Sequence, residues 1–109
     1  MSTQSDTAVI ERQKLKEPVK YKVVIHDNPH TSFDEVIFII SRCFDKTEQE
    51  AQEIANKVHL EGKGVCGVYH KEVAEAKLTL VDMAKQYLIL NFRHRESAIN
   101  ALKFTLEEE

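Results

Sequence analysis

The alternation of apolar and polar residues predicts a strand close to the start of the chain. Residues 20–26 place Tyr21, Val23 and Ile25 on one side, which is typical of a half-buried strand. The run that follows, Asp27-Asn28-Pro29-His30, combines residue types that favour a turn. The first strand is therefore expected to end at a tight bend.

Two amphipathic helices are predicted after the bend. Ser32 with Glu35, and Thr47 with Glu50, each match the capping-box pattern that marks a helix start. Asp45-Lys46 interrupts the apolar pattern between the two helices. Apolar residues recur at helical spacing behind each box. They are Phe33, Val36, Ile37, Ile40 and Phe44 in the first helix, and Ala51, Ile54, Ala55 and Val58 in the second.

The second half of the chain begins with a glycine turn at residues 61–64 and a strand at residues 65–69. A third helix is predicted from Lys71 onward. Residues 87–92 fit either more helix or a strand, and residues 98–106 fit both as well. The order β-α-α-β-α before this ambiguous end predicts an α+β fold with helices on a small sheet. The apolar face of the third helix consists of Val73, Ala76, Leu80, Ala84 and Tyr87.

Composition and charge exclude several classes of protein. The 109 residues fit one domain, which we expect at residues 19–109, with polar residues 1–18 as a flexible extension. The net charge of −3 argues against nucleic-acid binding, and the one short basic run, Arg93-His94-Arg95, is interpreted as solvated surface. No apolar run approaches the ~20 residues of a membrane helix, and no secretory signal is visible. Cys43 and Cys66 lack paired spacing, so we expect reduced thiols in a cytoplasmic protein.

The sequence offers little to catalysis. It contains no acid–base pair and no phosphate-binding loop, and Cys66 has no activating base beside it. The five histidines do not show the spacing of metal ligands. We therefore predict no catalytic residue, no metal ion and no cofactor, and an enzyme is the least favoured of the functions considered.

The stretch from Tyr21 to Lys77 resembles the ClpS family of adaptors. The strand Tyr21-Lys22-Val23-Val24-Ile25 and the turn after it match the start of the family pattern. The run Val58-His59-Leu60-Glu61-Gly62-Lys63-Gly64-Val65-Cys66-Gly67-Val68-Tyr69 matches its centre, and Glu72-Val73-Ala74-Glu75 continues the match. Residues 102–107 look like the closing strand of the family. The match leaves about ten extra residues between Ala84 and Ala101, judged against the usual length of loops.

The resemblance implies a fold, a function and a set of site residues. The fold would be β-α-α-β-α-β, with three helices packed on a three-stranded antiparallel sheet. The function would be non-catalytic delivery of proteins with exposed bulky hydrophobic N-terminal residues to the N-terminal domain of a Clp AAA+ ATPase. The implied residues are Asp27, Asn28 and His59 for the substrate N-terminus, Thr31, Phe33, Val36, Ala55 and Val58 for a hydrophobic pocket, and Glu72 and Lys77 for docking on the ATPase.

The chemistry of a free N-terminus suits these residue types. An α-ammonium group has three N–H donors and binds best to acceptors that include an ionised one. Asp27 offers a carboxylate, Asn28 an amide oxygen and neutral His59 a ring nitrogen. Burying a first Leu or Phe side chain contributes roughly 1.5–3 kcal/mol.

Two departures from the family pattern leave an alternative open. The family usually reads Asn-Asp-Asp where this chain reads Asp27-Asn28-Pro29, and it often has Met at the positions of Phe33 and Ala55. The exchanged turn favours a second hypothesis beside the adaptor: a divergent paralogue that docks on the Clp ATPase and modulates it without recognising N-termini. The preferred first residue is left open by the changed pocket positions.

Overall fold

The computed structural model describes residues 18–109, so nearly all of the predicted extension at residues 1–18 lies outside the described residues. The predicted α+β fold with a three-stranded antiparallel sheet is confirmed, and one short helix, α4, is added to the predicted order. The elements are β1 Lys20–His26, α1 Phe33–Cys43, α2 Glu48–Glu61, β2 Lys63–His70, α3 Lys71–Asn91, a 3₁₀ turn Arg93–Arg95, α4 Glu96–Ala101 and β3 Lys103–Glu108.

The first strand lies in the middle of the sheet, whose order is β2-β1-β3 with both pairs antiparallel. Its consecutive residues Val23, Val24 and Ile25 are buried, and Val23 and Ile25, which share one face, belong to the hydrophobic core. His26, the last residue of β1, pairs with the first residues of both neighbours, Lys63 and Lys103. The chain therefore leaves the sheet at the end where β2 and β3 begin.

One irregularity interrupts the pairing of β1 with β2. Val23 pairs with Gly67 and Val24 with Val65, so Cys66 is the extra residue of a β-bulge. Its side chain is buried in the core. The bulge thus lies beside the core.

Both predicted capping boxes are present. The Ser32 hydroxyl accepts from the Glu35 N–H at 3.1 Å, and the Glu35 carboxylate accepts from the Ser32 N–H at 2.8 Å. Thr47 and Glu50 repeat this arrangement at the start of α2. Asp45, in the predicted break between the helices, has φ 54°, a left-handed conformation that Asp tolerates better than most residues.

The end of α2 is fastened to the end of β1. Gly62 terminates the helix with φ 92°, where glycine avoids the steric cost of a Cβ, and its N–H donates to Val58 O at 2.8 Å. Its carbonyl accepts from the Asp27 N–H at 2.9 Å. This hydrogen bond holds the bend after β1 against the last turn of α2.

The predicted core face of α3 is wrong except at Ala84, which packs against the core. Val73, Ala76, Leu80 and Tyr87 are exposed, whereas the buried residues of this helix are Ala74, Val81, Leu88 and Ile89. Neighbouring positions on an α-helix are separated by about 100°, so a one-residue shift moves the buried stripe to the next face. Apolar residues occupy both faces of α3, and periodicity did not distinguish the packed face from the exposed one.

The ambiguous C-terminal region contains both kinds of structure. Helix α3 continues to Asn91, so residues 87–92 extend the helix instead of forming a strand. Ile99 lies in α4 and is buried, and the chain then enters β3 at Lys103. Among residues 18–109 no helix has an apolar stretch long enough to cross a membrane.

Candidate functional site

A recess of about 690 Å³ lies between the bend after β1, the start of α1 and the second half of α2. It is lined by every residue that the sequence assigned to substrate binding, together with two others. The predicted residues are Asp27, Asn28, Thr31, Phe33, Val36, Ala55, Val58 and His59, and the two additional ones are Pro29 and Asn56. Glu72 and Lys77, assigned to docking, are not among its lining residues.

The polar side of the recess carries Asp27 and His59. Both side chains are exposed to solvent, so each is open to a ligand. His59 lies in the last turn of α2, three residues before the Gly62 carbonyl that accepts from the Asp27 N–H. That backbone hydrogen bond places a carboxylate and an imidazole on the wall of the same recess.

Asn28 makes contacts of a different kind. Its Oδ1 accepts from the His30 N–H at 2.8 Å, and its Nδ2 donates to Ala101 O at 3.2 Å. The side chain therefore organises the bend and ties it to α4. One lone pair of the amide oxygen is left for a ligand, since a carbonyl oxygen accepts two hydrogen bonds.

The apolar side of the recess has an inner and an outer part. Ala55 and Val58 are each 3% exposed, so they form its inner surface. Phe33 is 44% exposed and stands at the rim, where a ligand would contact it. Gly64 packs behind this wall, because a Cβ at that position would come within 2.9 Å of Val58 Cγ2.

This arrangement suits the binding of a cation that is attached to an apolar group. The carboxylate of Asp27 can accept hydrogen bonds from an ammonium group, which are about twice as strong as those between neutral partners. The inner surface formed by Ala55 and Val58 can take up an apolar side chain on the same ligand. A recess with these two halves can select ligands by their charge and by the shape of their apolar side chain.

The two cysteines are free thiols of the core. Burial raises the pKa of the Cys66 thiol to about 12 and that of the Cys43 thiol to about 11. A nucleophilic cysteine needs a lowered pKa, so neither thiol is poised to react near neutral pH. Within residues 18–109, no group of three His, Cys, Asp or Glu side chains is placed to hold a metal ion.

The predicted docking residues lie on α3, away from the recess. Glu72 is exposed in the first turn of the helix. Lys77 is only 15% exposed in its side chain, with its Nζ 3.6 Å from Asp45 Oδ2 and 5.4 Å from the centroid of the Tyr69 ring. A partner that used Lys77 would therefore compete with an intramolecular ion pair.

The sequence reasoning did not assign Asn56 to the site, although a signal was available. Asn56 precedes His59 by three residues in α2, and residues with this spacing lie on the same face of a helix. Pro29, which the sequence placed in the predicted turn, also lies in the lining. Asn56 adds an amide group that can donate to or accept from a ligand.

A family model and curated relatives give the same family, and a solved structure shares the fold. The family model described as ATP-dependent Clp protease adaptor protein ClpS matches residues 16–88. The ClpS adapter protein of Oleidesulfovibrio alaskensis is 41% identical over 81 residues, 74% of this chain and 78% of the relative. The ClpS adapter protein of Vibrio atlanticus is 44% identical over 79 residues, which cover 72% of this chain and 74% of the relative. The structure of Agrobacterium tumefaciens ClpS2 bound to L-phenylalaninamide shares the fold, with a TM-score of 0.68, 24% identity, and coverage of 85% of this chain and 100% of that chain.

Proposed function

Since this chain belongs to the ClpS family of ATP-dependent Clp protease adaptor proteins, we propose that it captures the free N-terminal residue of substrate proteins and delivers them to a Clp AAA+ ATPase. The adaptor would act without catalysing a reaction. The observation that carries the proposal is that Asp27 and His59 line the same recess as an apolar wall. Such a recess suits an α-ammonium group next to a bulky hydrophobic side chain.

The ligand of the Agrobacterium tumefaciens protein supports this choice. L-Phenylalaninamide has a free α-amine and a benzyl side chain, and its carboxyl group is an amide, as in the first residue of a polypeptide. In this chain, Asp27, His59 and the free lone pair of Asn28 would accept from the ammonium group. Thr31, Phe33, Val36, Ala55 and Val58 would surround the side chain.

Delivery requires a second contact, which we place on α3. Glu72 is exposed at the start of this helix, and Lys77 lies further along it. The partner would be the N-terminal domain of the ATPase, which would bind residues outside the recess that holds the substrate. Charge reversal by Glu72→Lys would then weaken capture of the ATPase and leave the affinity for a substrate peptide unchanged.

Fluorescence anisotropy tests the recognition step directly. Labelled peptides that begin with free Leu, Phe, Tyr or Trp should bind, and their acetylated counterparts should not, because acetylation removes the charge and two of the donors. Failure of all four free peptides to bind to the folded protein would reject the proposal.

His59→Ala tests the assigned imidazole. We expect its affinity for the best free peptide to fall about tenfold, which corresponds to about 1.4 kcal/mol for a lost hydrogen bond to a charged group. His70→Ala is the matched control, since His70 is exposed and lies outside the recess. Equal affinities of the two variants would show that His59 has a structural role only.

One observation favours a second candidate function. Asn28, which stands where the family usually has an acid, uses its amide within the bend, so Asp27 alone supplies a carboxylate to the recess. A paralogue that docks on the ATPase without recognising N-termini would fit this change. Capture of a Clp ATPase by the protein, together with equal affinity for free and acetylated peptides, would favour this candidate over the first.

A further inference from the structure

The bend that forms one wall of the recess is hydrogen-bonded to the segment Arg93–Ala101, which comprises the 3₁₀ turn and α4. Five hydrogen bonds join this segment to residues 28–35, across sequence separations of 60 to 73 residues. They are Asn28 Nδ2 to Ala101 O (3.2 Å), Thr31 Oγ1 to Ala98 O (2.8 Å), Arg95 Nε to Glu35 Oε2 (2.9 Å), Arg95 Nη2 to Glu35 Oε1 (2.8 Å) and Arg95 Nη2 to His30 O (2.9 Å).

Arg95 makes three of these bonds with one planar group. Its guanidinium meets the Glu35 carboxylate in a bidentate pair, the geometry that gives ion pairs both strength and direction. The Arg95 and Glu35 side chains are 32% and 12% exposed, so water competes less than at an open surface. The same Glu35 accepts from the Ser32 N–H, and Arg95 therefore fixes the start of α1 as well as the His30 carbonyl.

The other two bonds use the end of α4. The last four carbonyl groups of a helix have no partner within the helix, and Ala98 and Ala101 carry two of them in α4. The side chains of Thr31 and Asn28 donate to these carbonyls. Both side chains also line the recess, so α4 orients part of its wall directly.

This segment lies outside the residues that the family model matches. The ClpS family model matches residues 16–88, which contain the whole lining of the recess and end before Arg93. The bend is therefore within the family match, whereas its support from Arg95 and α4 is not.

We propose that Arg95 is a positioning residue for the recess: with α4, it holds the bend at residues 27–31 in the conformation that binds a free N-terminus. The proposal rests on the proposed function, because the positioning is defined by its effect on that ligand. Arg95 would not touch the ligand, since it does not line the recess. It would act through Glu35 and the His30 carbonyl.

The expected effect follows from the population of the binding conformation. An apparent Kd rises in inverse proportion to the fraction of molecules in the competent state. If loss of the guanidinium lets the bend keep its conformation in about one fifth of the molecules, the Kd rises about fivefold. The association rate should fall by a similar factor, because fewer encounters find a formed recess.

The test compares Arg95→Gln with Arg93→Gln. The two changes remove the same charge from the same segment, but Arg93 is exposed and takes part in none of the ion pairs found within residues 18–109. The Kd and the association rate are measured with a free-Phe peptide. The temperature is one at which a thermal melt shows each variant to be folded. We expect an approximately fivefold weaker Kd for Arg95→Gln and less than a twofold change for Arg93→Gln.

Hydrogen exchange provides a readout that does not need a ligand. The amides of His30 and Thr31 should exchange faster in Arg95→Gln than in Arg93→Gln, while the amides of central strand β1 stay equally protected. If Arg95→Gln does not fold, Arg95→Lys is measured in its place, since lysine keeps the charge but lacks the planar pair of donors.

The outcomes separate this proposal from the proposed function. If the unmodified protein binds no free N-terminus, the proposed function fails and the positioning role fails with it. If the unmodified protein binds and Arg95→Gln has the same Kd and the same amide exchange as Arg93→Gln, only the positioning role is overturned.

Discussion

Replacing Asp27 with asparagine removes the negative charge from the recess and keeps the size of the side chain. The backbone N–H of residue 27 is retained, so its hydrogen bond to Gly62 O at 2.9 Å can still hold the bend. The variant therefore separates the charge of Asp27 from the position of its backbone. Any loss of affinity for an ammonium group can be assigned to the carboxylate.

The expected magnitude comes from the surroundings of the side chain. A hydrogen bond to a charged group contributes about 1.5–3 kcal/mol, compared with about 0.5–1.5 kcal/mol between neutral partners. Because Asp27 is exposed, water screens it and the lower end of the range applies. Since asparagine still offers a neutral acceptor, the loss is the difference between the lower ends of the two ranges, about 1 kcal/mol, which corresponds to an about fivefold weaker Kd for a free-Phe peptide.

Fluorescence anisotropy with the free-Phe peptide measures this change, and Asp34→Asn is its matched control. Asp34 is an exposed carboxylate in the first turn of α1 that does not line the recess, so its replacement changes the net charge equally. We expect less than a twofold effect from the control. If Asp27→Asn binds within twofold of the unmodified protein, the carboxylate does not hold the α-ammonium group and the reasoning is refuted.

Three further predictions concern residues of α1 and α2 and the glycine that ends α2. Gly62→Ala should lower the free energy of unfolding by about 1–2 kcal/mol in a urea titration, because alanine resists the left-handed conformation at φ 92°; an unchanged midpoint would contradict this. Ala55→Met should fill part of the inner recess and weaken binding of Trp- and Phe-first peptides more than that of Leu-first peptides, and an unaltered ranking would show that Ala55 does not contact the side chain. The hydrogen bond from Arg95 holds the pKa of Glu35 below its ordinary value of 4.5, so Glu35 stabilises the fold fully above about pH 4.5 and loses this effect as the pH falls through its lower folded pKa. Glu35→Gln, which can keep the capping box, should therefore flatten the fall in stability below about pH 4.5, and an equally steep fall in both proteins would argue against the pair.

The features that the sequence predicted correctly are local ones. Ser32 and Glu35 are three residues apart, and the hydrogen bonds that make them a cap form within one turn of chain. Apolar residues alternate along β1, a pattern that favours a strand over a helix. The recess was placed by a resemblance that covers both of its walls, and the structure brings those residues together; their role in binding stays a prediction.

The features that the sequence did not reveal depend on distant contacts. The buried face of α3 was misassigned because Val73 and Ala74 are both apolar, and only packing against the sheet decides between them. The pair formed by Arg95 and Glu35 joins residues 60 apart, and no periodic pattern marks it. The bulge at Cys66 depends on how β2 pairs with β1, which cannot be read from β2 alone.

A structure of the protein with a peptide that begins with a free phenylalanine tests the central claim most directly. We expect the α-ammonium group within about 3.2 Å of an Asp27 carboxylate oxygen, and the phenyl ring against Ala55 and Val58. A peptide bound elsewhere on the molecule, or one bound in the recess with its N-terminus directed away from Asp27 and His59, would contradict the account.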